Sequence, residues 1–354
     1  MSKMREEILQ QPVALDKTLR LELRRIEKLK KILQANPPQL ILLAARGTSD
    51  NAATFGRYLL EITTGIPVSL AAPSIFTLYG AKFSFKQTLV VAISQSGEST
   101  DTNLVLQRAR EAGARTVGIT NEPQSTLAQL AEHCFLVRAG REQSVAATKT
   151  YTGQLMMLYL LAYALGAKIQ IEQLRRVPEW AERALKLEPE IRERAGRYCF
   201  MRHGVVVGRG LNYANVYEFA LKLMETCYVV AERFSSADFL HGPIAMVETA
   251  FPVFLFAPPG VTWPSTKEIR EKLLQLRADT LMITDQSNPE ALAADRRQVI
   301  EVPAKLAARA PLPADLFTPI PYIIPAQLFA ASLAEEKGLN PDQPRTLSKV
   351  TRTL

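Results

Sequence analysis

The segment Val90-Val91-Ala92-Ile93-Ser94-Gln95-Ser96-Gly97-Glu98-Ser99 concentrates more chemistry than any other stretch of the chain. An apolar run of strand length ends in hydroxyl and amide side chains, a glycine follows, and a helical pattern begins near Thr100. Backbone N–H groups at a helix start, joined by hydroxyls, make a cradle for an anion. Ordinary N-capping asks for one hydroxyl, whereas this loop supplies Ser94, Ser96, Ser99 and Thr100, so the pattern points to a phosphate monoester. A second cluster, Ala220-Leu221-Lys222-Leu223-Met224-Glu225, sets Lys222 and Glu225 on one face of a helix. A carboxylate is the usual base for moving a proton between adjacent carbons, although taken alone the pair reads as a surface salt bridge. His241 sits in Asp238-Phe239-Leu240-His241-Gly242-Pro243, a turn signal that places a proton donor and acceptor at a loop. The tail Asn340-Pro341-Asp342-Gln343-Pro344-Arg345-Thr346-Leu347-Ser348-Lys349 has rigid or turn-forming positions ahead of a lysine, and by position alone it reads as a mobile terminus.

An internal repeat supplies the elements that hold these groups. Leu42-Leu43-Ala44-Ala45-Arg46-Gly47 returns as Val205-Val206-Val207-Gly208-Arg209-Gly210, and Ala114-Arg115-Thr116-Val117-Gly118-Ile119-Thr120 returns as Ala278-Asp279-Thr280-Leu281-Met282-Ile283-Thr284. Short apolar runs (40–45, 88–93 and 116–120, then 204–208, 252–257 and 280–284) alternate with helical patterns in each copy. Such runs are what strands buried on both faces look like, so each half is expected to be a doubly wound α/β domain with a parallel sheet. The expected organisation is an N-terminal helical segment (1–35), a first domain (36–167), charged helices joining the halves (168–196), a second domain (197–335) whose last helix runs from Pro325 to Gly338, and a tail (336–354). In the second copy the serine loop has become Phe256-Ala257-Pro258-Pro259-Gly260, which lacks the hydroxyls and two backbone donors. Only the first copy is expected to hold a phosphate.

The 354 residues are 47% hydrophobic, 22% charged and 7% aromatic, which removes the disordered, fibrous and low-complexity classes. A net charge of +8 suits nucleic acid or a phosphorylated metabolite equally well, but the basic Leu23-Arg24-Arg25-Ile26-Glu27-Lys28-Leu29-Lys30-Lys31 segment reads as the solvated face of a helix. The longest apolar stretch, Leu155 to Ala167, stops at Lys168, short of the roughly 20 residues a bilayer needs. The charged amino terminus lacks an apolar signal core, so a cytoplasmic protein without membrane or nucleic-acid partners is expected. Cys134, Cys199 and Cys227 are scattered among apolar neighbours and read as buried thiols. With His133, His203 and His241 the only histidines, and the first two at strand starts, no protein-built zinc site is expected.

The chain resembles the sugar isomerase (SIS) family, in particular its double-SIS branch: the isomerase domain of glucosamine-6-phosphate synthases and the stand-alone aminosugar-phosphate deaminases. The motifs that carry the resemblance run from Glu7-Ile8-Leu9-Gln10-Gln11-Pro12 through Arg46-Gly47-Thr48-Ser49, the serine loop, Val145-Ala146-Ala147-Thr148-Lys149, the Lys222 and His241 segments, to the final Asp342–Lys349 stretch. The resemblance implies phosphate and sugar contacts at Ser49, Ser94, Gln95, Ser96 and Ser99, with Glu142 and Val145 lining the sugar. It further implies Glu225 as the proton shuttle with Lys222 supporting it, and His241 as the ring opener reaching the site from a neighbouring subunit of a homodimer. Lys349, on a tail that folds over the sugar, would form a Schiff base with the keto form. This chain carries Ala147 where the synthase motif has Ser, so one hydroxyl contact is absent.

The function expected on these grounds is a phosphosugar isomerase/deaminase that turns glucosamine 6-phosphate into fructose 6-phosphate and ammonia, with no metal or organic cofactor. Known synthases begin with a glutaminase domain whose nucleophile is an amino-terminal cysteine. This chain has Ser2 and little sequence ahead of the first apolar run, so glutamine hydrolysis is not expected. Other readings are a synthase-like isomerase module fed by free ammonia or a separate glutaminase, and a fructosamine-6-phosphate deglycase. A non-enzymatic sugar-phosphate sensor would be expected to lose the acid–base residues that this chain retains.

Overall fold

The three apolar runs of each half form the inner strands of two parallel five-stranded sheets. The computed structural model describes residues 1–349, which fall into two units. Helix α1 (Lys3–Leu9) belongs to the second. The first unit comprises 10–142, 147–176 and 346–349. Its elements are α2 (Gln11–Ala35), β1 (Leu40–Ala44), α3 (Thr48–Thr64), β2 (Val68–Leu70), α4 (Pro73–Thr77), β3 (Thr88–Ser94), α5 (Thr100–Glu111), β4 (Arg115–Thr120), α6 (Thr126–Leu130), β5 (His133–Leu136), α7 (Lys149–Ala164) and α8 (Ile171–Leu174).

The strand order β2-β1-β3-β4-β5 changes direction between β1 and β3. The loops leaving those two strands therefore diverge, and the crevice at their carboxyl ends is the switch point where open α/β sheets bind ligands. Arg46-Gly47-Thr48-Ser49 follows β1 and the serine loop follows β3, so topology brings both motifs to one edge of the sheet. Every residue of β3 is buried. Helix α7 is buried on nearly all sides between α2 and α3, and its Tyr159 meets Phe55 of α3 edge to face at 5.1 Å.

The second unit comprises 1–9, 143–146 and 177–345. After α1 it contains α9 (Val177–Leu185), α10 (Glu188–Gly196), β6 (His203–Gly208), α11 (Tyr213–Cys227), β7 (Val230–Ser235), α12 (Ser236–Leu240), β8 (Pro252–Phe256), α13 (Trp263–Gln275), β9 (Asp279–Asp285), α14 (Pro289–Leu292), β10 (Val299–Val302) and α15 (Pro319–Glu336). Its order β10-β9-β8-β6-β7 is the wiring of the first sheet read from the other edge. The charged appearance of α9 hides a buried stripe, Val177, Trp180, Ala181 and Ala184, at the helical period, and both α9 and α10 pack on α15.

Two sequence expectations are corrected. Helix α15 begins at Pro319, not Pro325. Pro319 and Pro321 fall in the first turn, where a missing N–H costs no helical bond, and burial along the helix carries it past Pro325. Of the three cysteines only Cys227 is buried; Cys134 is half-buried and Cys199 is exposed in the turn that ends α10. Among the described residues no helix is long and apolar enough to cross a membrane.

Phe329 of α15 knits this unit together, with ring centroids 5.1 Å from Phe254, 5.4 Å from Tyr198 and 5.9 Å from Phe219. Phe329→Ala should cost about 3–5 kcal/mol. Urea denaturation monitored by circular dichroism would read this as a lower midpoint with unchanged slope.

Candidate active site

The serine loop of the first unit is shaped by its own side chains. Gly97 donates its N–H to Ser94 Oγ at 3.1 Å, and Glu98 donates to Ser96 Oγ at 3.2 Å. Gly97 has φ +67°, and a Cβ there would collide with Ser125 and lie 2.9 Å from Thr120 Oγ1. Only glycine fits, both for the left-handed backbone and for the approach of the β4–α6 turn. The Gly97 carbonyl accepts from Asn103 Nδ2 and from the Leu127 N–H, each at 3.0 Å. Glu98 turns away from the loop and accepts from both the N–H and the hydroxyl of Thr126 at 2.8 Å. Ser99 is the residue before α5 and shares a hydrogen bond of 3.0 Å with Thr102. Arg46 from the neighbouring loop grips Asp101 in the first turn of α5 at 2.6 and 3.0 Å. Ser49, in the first turn of α3, is buried and accepts from Gln154 Nε2 at 2.9 Å.

Glu142 is the other centre of this unit. Its side chain is fully buried, and it accepts from the Thr148 N–H (2.9 Å), the Thr150 N–H (3.2 Å), the Thr150 hydroxyl (2.6 Å) and Lys349 Nζ (3.1 Å). Burial pushes its pKa up. The Lys349 charge, aided by the Thr150 hydroxyl and the two N–H donors, outweighs burial and holds the carboxyl below the usual glutamate value of 4.5. Gln95, Ser96, Glu142 and Lys349 line one cavity of about 380 Å³, with Glu122 and Arg141 at its wall. Part of the serine loop and an amine on a carboxylate thus share an open cavity of the size of a small metabolite, whose wall also includes Glu98.

In the second unit Lys222 is fully buried, 2.6 Å from Glu225 Oε2 and 3.5 Å from Glu218. Glu225 keeps about a quarter of its side chain exposed, whereas Glu218 keeps none. The expected pair is therefore part of a triad on α11 in which one carboxylate faces outward. Val145 is half-buried and donates its N–H to the Asp342 carbonyl at 3.1 Å. His241 caps the end of α12 and is exposed. His133 and His203 stand at the starts of β5 and β6, as their sequence context suggests. Among the described residues no group of three or more His, Cys, Asp or Glu is arranged to hold a metal ion.

The model of the SIS domain matches twice, at residues 36–164 and 201–333. The chain belongs to the SIS domain family. Curated relatives of the family that it resembles include the glutamine–fructose-6-phosphate aminotransferases (isomerizing) of Methanothermobacter thermautotrophicus and Pyrococcus horikoshii. The first is 36% identical over 309 residues, 87% of this chain and 51% of the relative. The second is 34% identical over 352 residues, 98% of this chain and 57% of the relative. The chain thus spans about half the length of the curated relatives it matches. Among solved structures, the C-terminal domain of glucosamine-fructose-6-phosphate aminotransferase from Francisella tularensis superposes with a TM-score of 0.87 at 27% identity, covering 97% of this chain and 98% of that one. A glucosamine-6-phosphate deaminase from Thermotoga maritima shares the fold, with a TM-score of 0.72 at 21% identity over 99% of this chain and 100% of that one.

Sequence reading missed Glu218, although it lies one helical turn before Lys222, and it missed Gln154 and Thr150, whose polar character inside apolar α7 was the available signal. A test follows from the Glu142–Lys349 pair. A carboxyl whose folded pKa is depressed contributes stability that is complete above the unfolded value and is lost as pH falls through the folded one. The stability difference between wild type and Glu142→Gln should therefore be full above about pH 5 and shrink below pH 4.5. Thermal unfolding across that range would check it; a difference that grows on acidification would contradict the assignment.

Proposed function

We propose that this chain is a phosphosugar isomerase that deaminates glucosamine 6-phosphate to fructose 6-phosphate and ammonia. The observation that carries the reading is one cavity lined by Gln95 and Ser96 of the serine loop together with Glu142 and Lys349. A phosphate needs N–H and hydroxyl donors, and a sugar carbonyl needs an amine or an acid–base pair. Ser94, Gln95, Ser96 and Ser99, with Ser49 beside them, would bind the phosphate, while Glu142 and Val145 line the sugar.

The steps balance without a cofactor. His241 passes a proton between ring oxygen and C1 hydroxyl, opening the pyranose to the aldehyde. Glu225 removes the proton from C2 and returns it to C1 while a proton passes from the amino nitrogen to O1, turning the aminoaldehyde into a C2 imine with a C1 hydroxyl. Water adds to that imine and ammonia leaves, giving the ketose. The buried Lys222 ammonium steadies the negative charge that develops on oxygen. Lys349 acts on the keto form, its neutral amine adding to C2 and expelling water as a Schiff base.

In this reading the working form is a homodimer, and His241, exposed at the end of α12, serves the neighbouring copy. The named activity of the curated relatives favours a second direction, amination of fructose 6-phosphate by free ammonia or by ammonia from a separate glutaminase. Both directions use the same residues.

The deciding experiment supplies purified protein with glucosamine 6-phosphate and follows ammonia and fructose 6-phosphate together. Equal release of both supports deamination; release of neither, with fructose 6-phosphate and ammonium consumed in the reverse assay, supports synthesis. Glu225→Gln should lower turnover at least a thousandfold in whichever direction runs, with the dissociation constant for the sugar phosphate changed less than threefold. Equal losses in binding and turnover would place Glu225 in binding instead.

A further inference from the structure

Two acidic side chains that the chemistry above does not use tie three distant segments of the second unit together. Glu7, on α1, is buried and accepts the consecutive N–H groups of Gln143 (2.5 Å) and Ser144 (3.3 Å). Asp342, in the tail, accepts the N–H groups of Met4 (2.7 Å) and Lys3 (2.8 Å) at the start of α1. The Asp342 carbonyl in turn accepts from Val145, and Ser144 Oγ donates to the Pro341 carbonyl at 3.5 Å. Loop 143–146 is thus held by α1 on one side and by the tail on the other, while the tail is itself held by α1. Helix α1 is fixed by the Ser2 hydroxyl on Glu335 at 2.7 Å and by an Arg5–Glu188 ion pair.

This is more than a terminal helix of seven residues needs in order to pack. Charge-assisted bonds from a carboxylate to backbone N–H groups are about twice as strong as neutral ones, and a buried carboxylate is costly unless every lone pair is used well. Glu7 spends its bonds on loop backbone that has no secondary structure of its own, and Asp342 spends its bonds on the first N–H groups of α1. Loop 143–146 follows Glu142 in the chain and contains Val145, and the tail leads within a few residues to Lys349.

We propose that α1 is the anchor for the sugar loop and for the lysine-bearing tail, with Glu7 and Asp342 as positioning residues for Val145 and Lys349. The Lys349 part rests on the Schiff-base reading above.

The test compares wild type with Glu7→Gln and Asp342→Asn in the full chain, using fructose 6-phosphate as probe. The Lys349 amine adds to the C2 carbonyl and loses water, and borohydride supplies hydride to the C=N carbon. The result is a stable secondary amine that peptide mass spectrometry locates. Both variants should trap at least tenfold more slowly than wild type. Their thermal shift with fructose 6-phosphate, which reads the serine loop, should stay at the wild-type value. Amide exchange of the peptide spanning 143–146 should accelerate at least tenfold, with that of 94–99 unchanged. Trapping at the wild-type rate in both variants would overturn the proposal. Should wild type itself trap nothing, the Schiff-base reading fails and exchange decides: wild-type protection of 143–146 in both variants then overturns the anchor. If Glu7→Gln does not fold, the half-buried Asp342 site carries the comparison alone.

Discussion

A carboxylate removed entirely from water must be met by donors on every side, and Glu142 imposes that requirement on the whole carboxyl end of the first unit. Its partners come from the start of α7 and from the tail, so α7 cannot start elsewhere without stranding the charge, and the tail adds a fourth contact. The same turn is secured by Lys149, buried with its ammonium on the Arg141 carbonyl at 2.7 Å and on Gln10 at 2.9 Å. Helix α7 then fixes Gln154, and Gln154 fixes Ser49. A line of contacts thus runs from one buried charge to the loop that follows β1.

The two units share one wiring and have diverged where the wiring makes its crevice. The Ser49–Gln154 bond of the first has its counterpart in Asn212 and Thr318 of the second, joined at 2.7 Å. Gly47 corresponds to Gly210, whose Cβ, if present, would lie 3.7 Å from an Asp315 carboxylate oxygen. Asp315 is buried and its pKa is pushed up to about 6 by that burial. The second crevice thus contains a carboxyl of its own, and Pro258 and Pro259 lack the N–H donors that the serine loop has in the first. In the proposed reading that carboxyl disfavours a phosphate in the second crevice, and the hydroxyls around Ser94 favour one in the first.

The parts of this architecture legible in the sequence are those set by local pattern. Continuous apolar runs marked the three inner strands of each sheet because those strands are buried on both faces. The edge strands β2, β5, β7 and β10 gave no such run, being short or half-solvated: β7, with exposed Val230, Glu232 and Arg233, reads as a polar segment. Cys199 was misjudged because apolar neighbours in sequence do not bury a residue placed in a turn. The shape of the serine loop was legible since its glycine and its hydroxyls, which bond to the loop's own N–H groups, lie within a few residues of one another. Glu7 and Asp342 were not, because their partners lie far away in the chain and are backbone groups that leave no trace in residue type.

Glu142 also explains how a lysine can rest on a carboxylate and still serve as a nucleophile in the proposed reaction. An ammonium cannot attack a carbonyl, so a proton must leave Lys349 before the Schiff base forms. Breaking a buried ion pair ordinarily costs about 3–5 kcal/mol, chiefly because one charge is left uncompensated. Glu142 is not left so: the Thr148 and Thr150 N–H groups and the Thr150 hydroxyl remain on it when Lys349 departs. The three donors lower the cost of releasing the lysine, and the fourth contact, an ion pair while the amine is charged, would hold Lys349 until a substrate carbonyl competes for it.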